Sequence, residues 1–138
     1  MKKILFAFVL VIPFAFNTFA ESKTETPSDT LVVLWTSGDP DVAEKVALMY
    51  THAAGKNNWF DQVILIVWGP SANVLAHNKS LQTKVKTMVD DSISVQACVV
   101  CADSYGVSDD LRELGIEVIG MGRPLTDYLK KGYKQLTF

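Results

Sequence analysis

The chain has 138 residues, 49% of them hydrophobic and 20% charged, with a formal net charge of −2. That length predicts one domain with a real core. The mild acidity and the lack of a Lys/Arg run exclude a nucleic-acid-binding surface; Lys130, Lys131 and Lys134 are scattered and read as a solvated face.

Residues 1–20 are a different material from the rest. Lys2 and Lys3 precede an apolar run from Ile4 to Phe16, and Thr18-Phe19-Ala20 puts small residues at a cleavage position. This pattern predicts a secretory signal peptide and a periplasmic or secreted protein. The run is shorter than the roughly 20 residues that span a bilayer, which disfavours a permanent anchor. Residues 21–30 begin with the polar stretch ESKTETPSD and read as a flexible spacer, leaving 31–138 as the folded domain.

The apolar, β-branched run LVVLWT (Leu31–Thr36) predicts a buried strand. Asp39 is an N-cap and Pro40 suits the first helical position. Val42, Val46, Met49, Tyr50 and Ala53 recur at helical spacing and predict the buried face of that helix, with Gly55 ending it. QVILIVW (Gln62–Trp68) is a second buried strand, broken by Gly69-Pro70. Ser71 is expected to cap a short helix through His77, and Ser80 a longer one carrying Leu81, Val85, Met88 and Val89. SISVQAC (Ser92–Cys98) alternates and predicts a third strand. Ser108 is expected to cap the next helix, with Asp109 and Asp110 in the first turn, Leu111 and Leu114 inward, and Gly115 closing it. Ile116–Gly120 is the fourth strand. Pro124 is expected to open a last helix with Leu125, Tyr128 and Leu129, ended by Gly132, and QLTF a fifth strand.

Strands alternating with helices predict an α/β fold with a mostly parallel sheet covered on both faces. Ligand sites in such sheets lie at the carboxyl ends of the strands. Four segments converge on that edge: Thr36-Ser37-Gly38, Trp68-Gly69-Pro70, Cys98 with its turn, and Gly120-Met121-Gly122-Arg123. Ser37, Trp68, Gly69 and Arg123 are therefore candidate substrate-binding residues, Arg123 for an anion such as thiosulfate or sulfite.

The only two cysteines, Cys98 and Cys101, stand where the third strand gives way to a helix. A bridge between them closes a tiny loop and stabilises little, so the pair asks for a chemical explanation. Unpaired N–H groups at a helix start stabilise a thiolate, which predicts a depressed pKa and an accessible nucleophile there. One CxxC supplies two ligands where zinc wants four, so no metal is expected. No cofactor is expected either: Gly120-Met121-Gly122 holds two glycines of a phosphate-binding fingerprint and lacks the rest, and no Walker A string occurs. His52 and His77 read as helix-surface residues, and Asp103 and Tyr105 as a solvated and a packing residue. Trp35 and Trp68 are either core aromatics or the wall of a pocket near Cys98. A sulfur-handling site, a redox pair and two small buried hydrophobes all fit these residues.

The run CVVCADSYGV, with SVQA before it and SDDLRELGIEVIGMG after it, resembles the DsrE-like family of small sulfur-handling proteins. The resemblance spans about Leu31 to Phe138. It implies a three-layer α/β/α sandwich with a five-stranded sheet, often assembled into homo-oligomers. It also implies that the strand-end cysteine, here Cys98 with Gly106-Val107 behind it, accepts sulfur as a persulfide and passes it on. Cys101, WGPSANVL and GMGRPLTDYL are similar to a branch with a second cysteine. The expected protein is thus an exported sulfur carrier or sulfurtransferase-like protein using Cys98 with Cys101 beside it. Its partner would be a sulfur donor or acceptor protein or a small sulfur compound. The rival expectations are a thiol–disulfide redox protein and a non-enzymatic oligomeric binding module.

Overall fold

The computed structural model describes residues 29–138; the predicted signal segment and most of the spacer lie outside the described residues. Five strands form one parallel sheet: β1 (Thr30–Trp35), β2 (Gln62–Val67), β3 (Ser94–Cys98), β4 (Glu117–Ile119) and β5 (Lys134–Thr137). Their spatial order is β4-β3-β2-β1-β5. Each of the first three crossovers steps one strand in the same direction, and the last returns past three strands to the far side of β1.

Crossovers between parallel strands are right-handed, so the three forward steps put their helices on one face and the return step puts its helix on the other. The packing follows this rule. On one face Leu31, Val33, Trp35, Leu65, Val67, Val95 and Ala97 pack against the helices of the forward crossovers, through residues such as Ala47, Leu75, Val85 and Leu111. On the other face Val32, Ile64, Ile66 and Cys98 pack under Met121, Leu125, Tyr128 and Tyr133 from the return crossover. The result is a three-layer α/β/α sandwich with one thick layer and one thin one. Strands buried on both faces read as continuous Val/Ile/Leu runs, which is why β1 and β2 are so apolar.

The first crossover runs through α1 (Pro40–Val42), a π-helical stretch (Ala43–Ala47) and α2 (Leu48–Lys56) without a break. Asp39 caps it as expected, its Oδ1 accepting from the Asp41 and Val42 N–H groups at 2.7 and 3.2 Å. The helix is rolled relative to the sequence expectation. Ala43, Ala47, Leu48, Thr51 and Ala54 are the buried residues, while Val46 and Met49 are exposed. The sheet takes the small-residue stripe because alanines let the helix axis lie close to the strands.

Gly55 does not end this helix, which continues through Lys56. A Cβ there would lie 2.7 Å from the Ile93 side chain, so glycine is needed for close approach.

The next crossover holds α3 (Pro70–His77) and α4 (Lys79–Asp90). Neither expected serine cap is used. Gly69 is the N-cap of α3, and Asn78 Oδ1 caps α4 by accepting from the Leu81 N–H at 3.2 Å. Ser71 is instead a buried brace. Its hydroxyl donates to the Trp35 carbonyl at 2.7 Å and accepts from the Trp68 N–H at 2.9 Å, tying the ends of β1 and β2 together.

The third crossover holds α5 (Val99–Tyr105) and α6 (Ser108–Arg112). Ser108 is the first residue of α6 rather than its cap, and its hydroxyl donates to Asp103 at 2.5 Å. Gly106, at φ 70°, ends α5 in the left-handed conformation that glycine adopts without strain. The last helix, α7 (Gly122–Lys130), starts two residues before Pro124.

Helix propensity alone makes Gly→Ala favourable by about 1 kcal/mol. At Gly55 the sign is reversed: Gly55→Ala lowers stability by about 1–3 kcal/mol through overpacking against Ile93. A urea denaturation midpoint at or above that of the wild type refutes this account.

Candidate functional site

The carboxyl edge of the sheet brings together the ends of β1, β2, β3 and β4. Val67 pairs with Ala97, so Cys98 stands level with Trp68, and on its other side Cys98 pairs with Ile119. Cys98 is the last residue of β3 and the N-cap of α5, in extended conformation at φ −71° and ψ 112°. Cys101 lies three residues on, in the first turn of α5, so one helical turn carries its sulfur back over the strand end. The two cysteines pack in one cluster, near enough for Cys98 and the Gly69 N–H to act on the ionisation of Cys101. Both cysteines are free.

Gly69 can present that N–H because it sits at φ 72° and ψ −133°, a backbone region closed to residues with a Cβ. Trp68, half-buried, packs with both cysteines in the thin layer. Trp35 belongs to the opposite face and is fully buried there, so of the two tryptophans only Trp68 walls the sulfur site.

The exposures reverse the expectation of an open Cys98. Cys98 is 5% exposed, beneath Met121 and its neighbours, and Cys101 is the more accessible sulfur. Nor is Cys101 a poised thiolate. Burial pushes its pKa above the ordinary thiol value; the hydrogen bond and the charge of Cys98 push it further, against a smaller opposing effect of the Gly69 N–H. The pair is two free thiols in one cluster, Cys98 covered and Cys101 half-covered.

The remaining sequence candidates are engaged with partners other than the sulfurs. Ser37 is fastened to the end of the chain: its N–H donates to the Phe138 carbonyl at 3.1 Å, and its hydroxyl accepts from the Asp39 N–H at 3.1 Å. Arg123 lies on α7 with its side chain 85% exposed, and its Nε donates to both Asp127 oxygens, at 3.0 and 2.8 Å. Arg112 is engaged with Asp109 in the same way, at 2.8 Å. His52 bonds Asp91 at 2.6 Å, and His77 bonds the Asn73 carbonyl at 2.8 Å, each on its own surface. Among the described residues no cluster of three or more His, Cys, Asp or Glu is arranged to hold a metal ion.

Two contributors escaped the sequence reading. Met121, placed at the site edge within Gly120–Arg123 but given no role there, is fully buried in the cluster that holds the cysteines. Gln96, two residues before Cys98 and on the same face, is 7% exposed. Its Nε2 donates to Glu117 at 2.9 Å, and its Oε1 accepts from the Tyr128 hydroxyl at 3.1 Å, which fastens α7 over the sheet. The available signal was a glutamine in a strand predicted to be buried on both faces, because a buried amide requires partners.

A parallel α/β sandwich with two free thiols at its carboxyl edge defines a small thiol protein. The chain belongs to the DsrE/DsrF-like family, whose model matches residues 29–138. That family is generally associated with sulfur relay. Among solved structures, a conserved protein of unknown function from Bacteroides thetaiotaomicron, BT1422, is 34% identical with a TM-score of 0.76, over 80% of this chain and 95% of that one. The ychN protein from E. coli is 16% identical with a TM-score of 0.62, over 80% and 99%, a likeness in fold. A search of curated proteins found no match.

The raised Cys101 pKa is open to direct measurement. Its alkylation rate by iodoacetamide should climb with pH to a midpoint above the ordinary thiol range, near 8.5. Cys98→Ala should lower that midpoint by removing the neighbouring sulfur and its charge. A midpoint indifferent to Cys98 would refute the influence of Cys98 on Cys101.

Proposed function

We propose that this protein is an exported sulfur carrier in which Cys98 accepts a sulfane sulfur and Cys101 discharges it. The observation that carries the reading is the packing of both cysteines into one cluster at the strand end. Family membership supports sulfur handling, the strand-end position supports Cys98 as the acceptor, and the N-terminal sequence pattern supports export.

Loading is a thiol exchange. The Cys98 thiolate attacks the outer sulfur of a donor persulfide, R–S–SH. A Cys98 S–S bond forms, the donor S–S bond breaks, and the donor leaves as a thiolate that takes up the proton Cys98 released. Two exits follow. An acceptor thiolate can attack the outer sulfur and carry it away, returning Cys98 as a thiolate. Alternatively Cys101 attacks the Cys98 sulfur and expels hydrosulfide, so that the sulfane sulfur is reduced as the two thiols are oxidised to a disulfide. A dithiol reductant then restores the pair. Trp68 and Met121 keep water away from the persulfide, and the Gly69 N–H favours a charged Cys101 as it attacks.

The same packing favours a second reading, direct thiol–disulfide exchange without sulfur loading. Both readings are separated by weighing the intact reduced protein after exposure to glutathione persulfide. The carrier predicts that Cys101→Ser retains one added sulfur atom, that Cys98→Ser retains none, and that the wild type releases sulfide and loses two hydrogens. Equal loading of Cys98→Ser overturns the assignment. Oxidation of the wild type with neither added sulfur nor released sulfide leaves the redox protein.

A further inference from the structure

Cys98 is 5% exposed, yet the loading step needs a donor sulfur to approach it in line with the bond that breaks. Its cover is the return crossover: Met121, fully buried, with Leu125, Tyr128 and Tyr133. That cover is lightly held. No residue of α7 is fully buried, whereas α4 on the opposite face buries Leu81, Gln82, Val85 and Met88. β5, which follows α7, is exposed at every residue. Elements with little buried apolar surface open at the lowest free-energy cost.

Two features let α7 move as a unit. Gly120 and Gly122 lead into it and Gly132, at φ 75°, leads out; a Cβ at any of the three would meet open space, so both ends can absorb a change of backbone angle. Between them lies a buried polar tie. The Tyr128 hydroxyl donates to Gln96 Oε1 at 3.1 Å, and Gln96 Nε2 donates to Glu117 Oε2 at 2.9 Å. A carboxylate only accepts, so Glu117 turns the Gln96 amide with its oxygen toward Tyr128. Gln96 precedes Cys98 by two residues on the same face, so the tie holds the helix down beside the sulfur.

We infer that α7 is a hinged cover over Cys98, latched by the Tyr128–Gln96–Glu117 chain, and that Cys98 takes up sulfur only when the latch parts. The inference rests on the carrier reading for the need to reach Cys98, and on packing alone for the cover. Gln96 and Tyr128 are thus positioning residues that act on the sulfur through access. Lifting α7 carries Met121 and Leu125 off Cys98 together. Cys101, on α5, stays in place, so discharge needs no further movement.

Labelling the reduced Cys101→Ser protein with dithiodipyridine reads the opening directly. Cys98 should react far more slowly than in the urea-unfolded chain. Below the unfolding transition its rate should rise only shallowly with urea, because the slope follows the surface exposed. The control is Val33→Cys with both native cysteines replaced by serine, since Val33 is fully buried under the thick layer. Its labelling should be slower by about tenfold or more and carry the steep slope of global unfolding. Tyr128→Phe keeps the ring stacked on Tyr133, at 5.6 Å between centroids, and removes the hydroxyl. It should speed Cys98 labelling about fivefold, the usual net effect of one hydrogen bond. Hydrogen exchange checks the unsubstituted protein: α7 amides should exchange through the same shallow opening while β1 amides wait for global unfolding. Cys98 labelling as fast as in the unfolded chain, as slow and steep as at Val33→Cys, or unmoved by Tyr128→Phe overturns the cover. So does an α7 that exchanges only together with β1. No persulfide enters these measurements, so an opening cover above a Cys98 that takes no sulfur removes the carrier reading and leaves the cover standing.

Discussion

Side-chain parity along β3 governs the sulfur site. Successive side chains of a strand point to opposite faces. Val95 and Ala97 therefore enter the thick layer, and Gln96 and Cys98 enter the thin one. A one-residue slip in register would exchange the two sets and bury Cys98 beneath the helices of the forward crossovers. Everything that follows at the site, including its cover by Met121, its wall by Trp68 and its tether through Gln96 and Tyr128, depends on that parity.

The second constraint is the junction with α5. Ending the strand at Cys98 and starting the helix at Val99 leaves Cys98 half in each element, and one turn returns Cys101 to its side. Proximity of the two cysteines is thus a property of backbone geometry. The chemical consequence is that Cys98 disfavours ionisation of Cys101, since neighbouring thiolates repel. A resting Cys101 that holds its proton suits the proposed carrier, because the second sulfur stays quiet and in place until discharge.

Much of the architecture was legible from local pattern. β1 to β4 and the approximate spans of the helices follow from apolar runs, turn residues and the Asp39 cap. Cys98 and Cys101 at the strand–helix junction, and Gly69 and Trp68 on the same edge, followed from the same reasoning. The partners that engage Ser37 and Arg123 were not legible: the Ser37 hydroxyl takes the Asp39 N–H and its own N–H the Phe138 carbonyl, and Arg123 takes Asp127, choices set by chain end and helix face. Ser71, Ser80 and Ser108 lost their expected capping roles to backbone conformation at Gly69, to Asn78 and to the pull of Asp103. A serine four residues past a strand end, as Ser71 is, serves equally as cap or brace, and the strand carbonyls nearby decide which.

The sequence by itself determined the alternation of strands and helices, and hence a parallel sheet with its site at the carboxyl edge. It could do so because the strand and helix periods are local properties of the chain. Only the tertiary structure decided which stripe of the first helix meets the sheet and how deeply Cys98 is covered. Two apolar stripes competed for the sheet, and closeness of approach favoured the alanines. The cover over Cys98 comes from α7, which reaches it only because the last crossover returns across three strands, a choice no local pattern encodes.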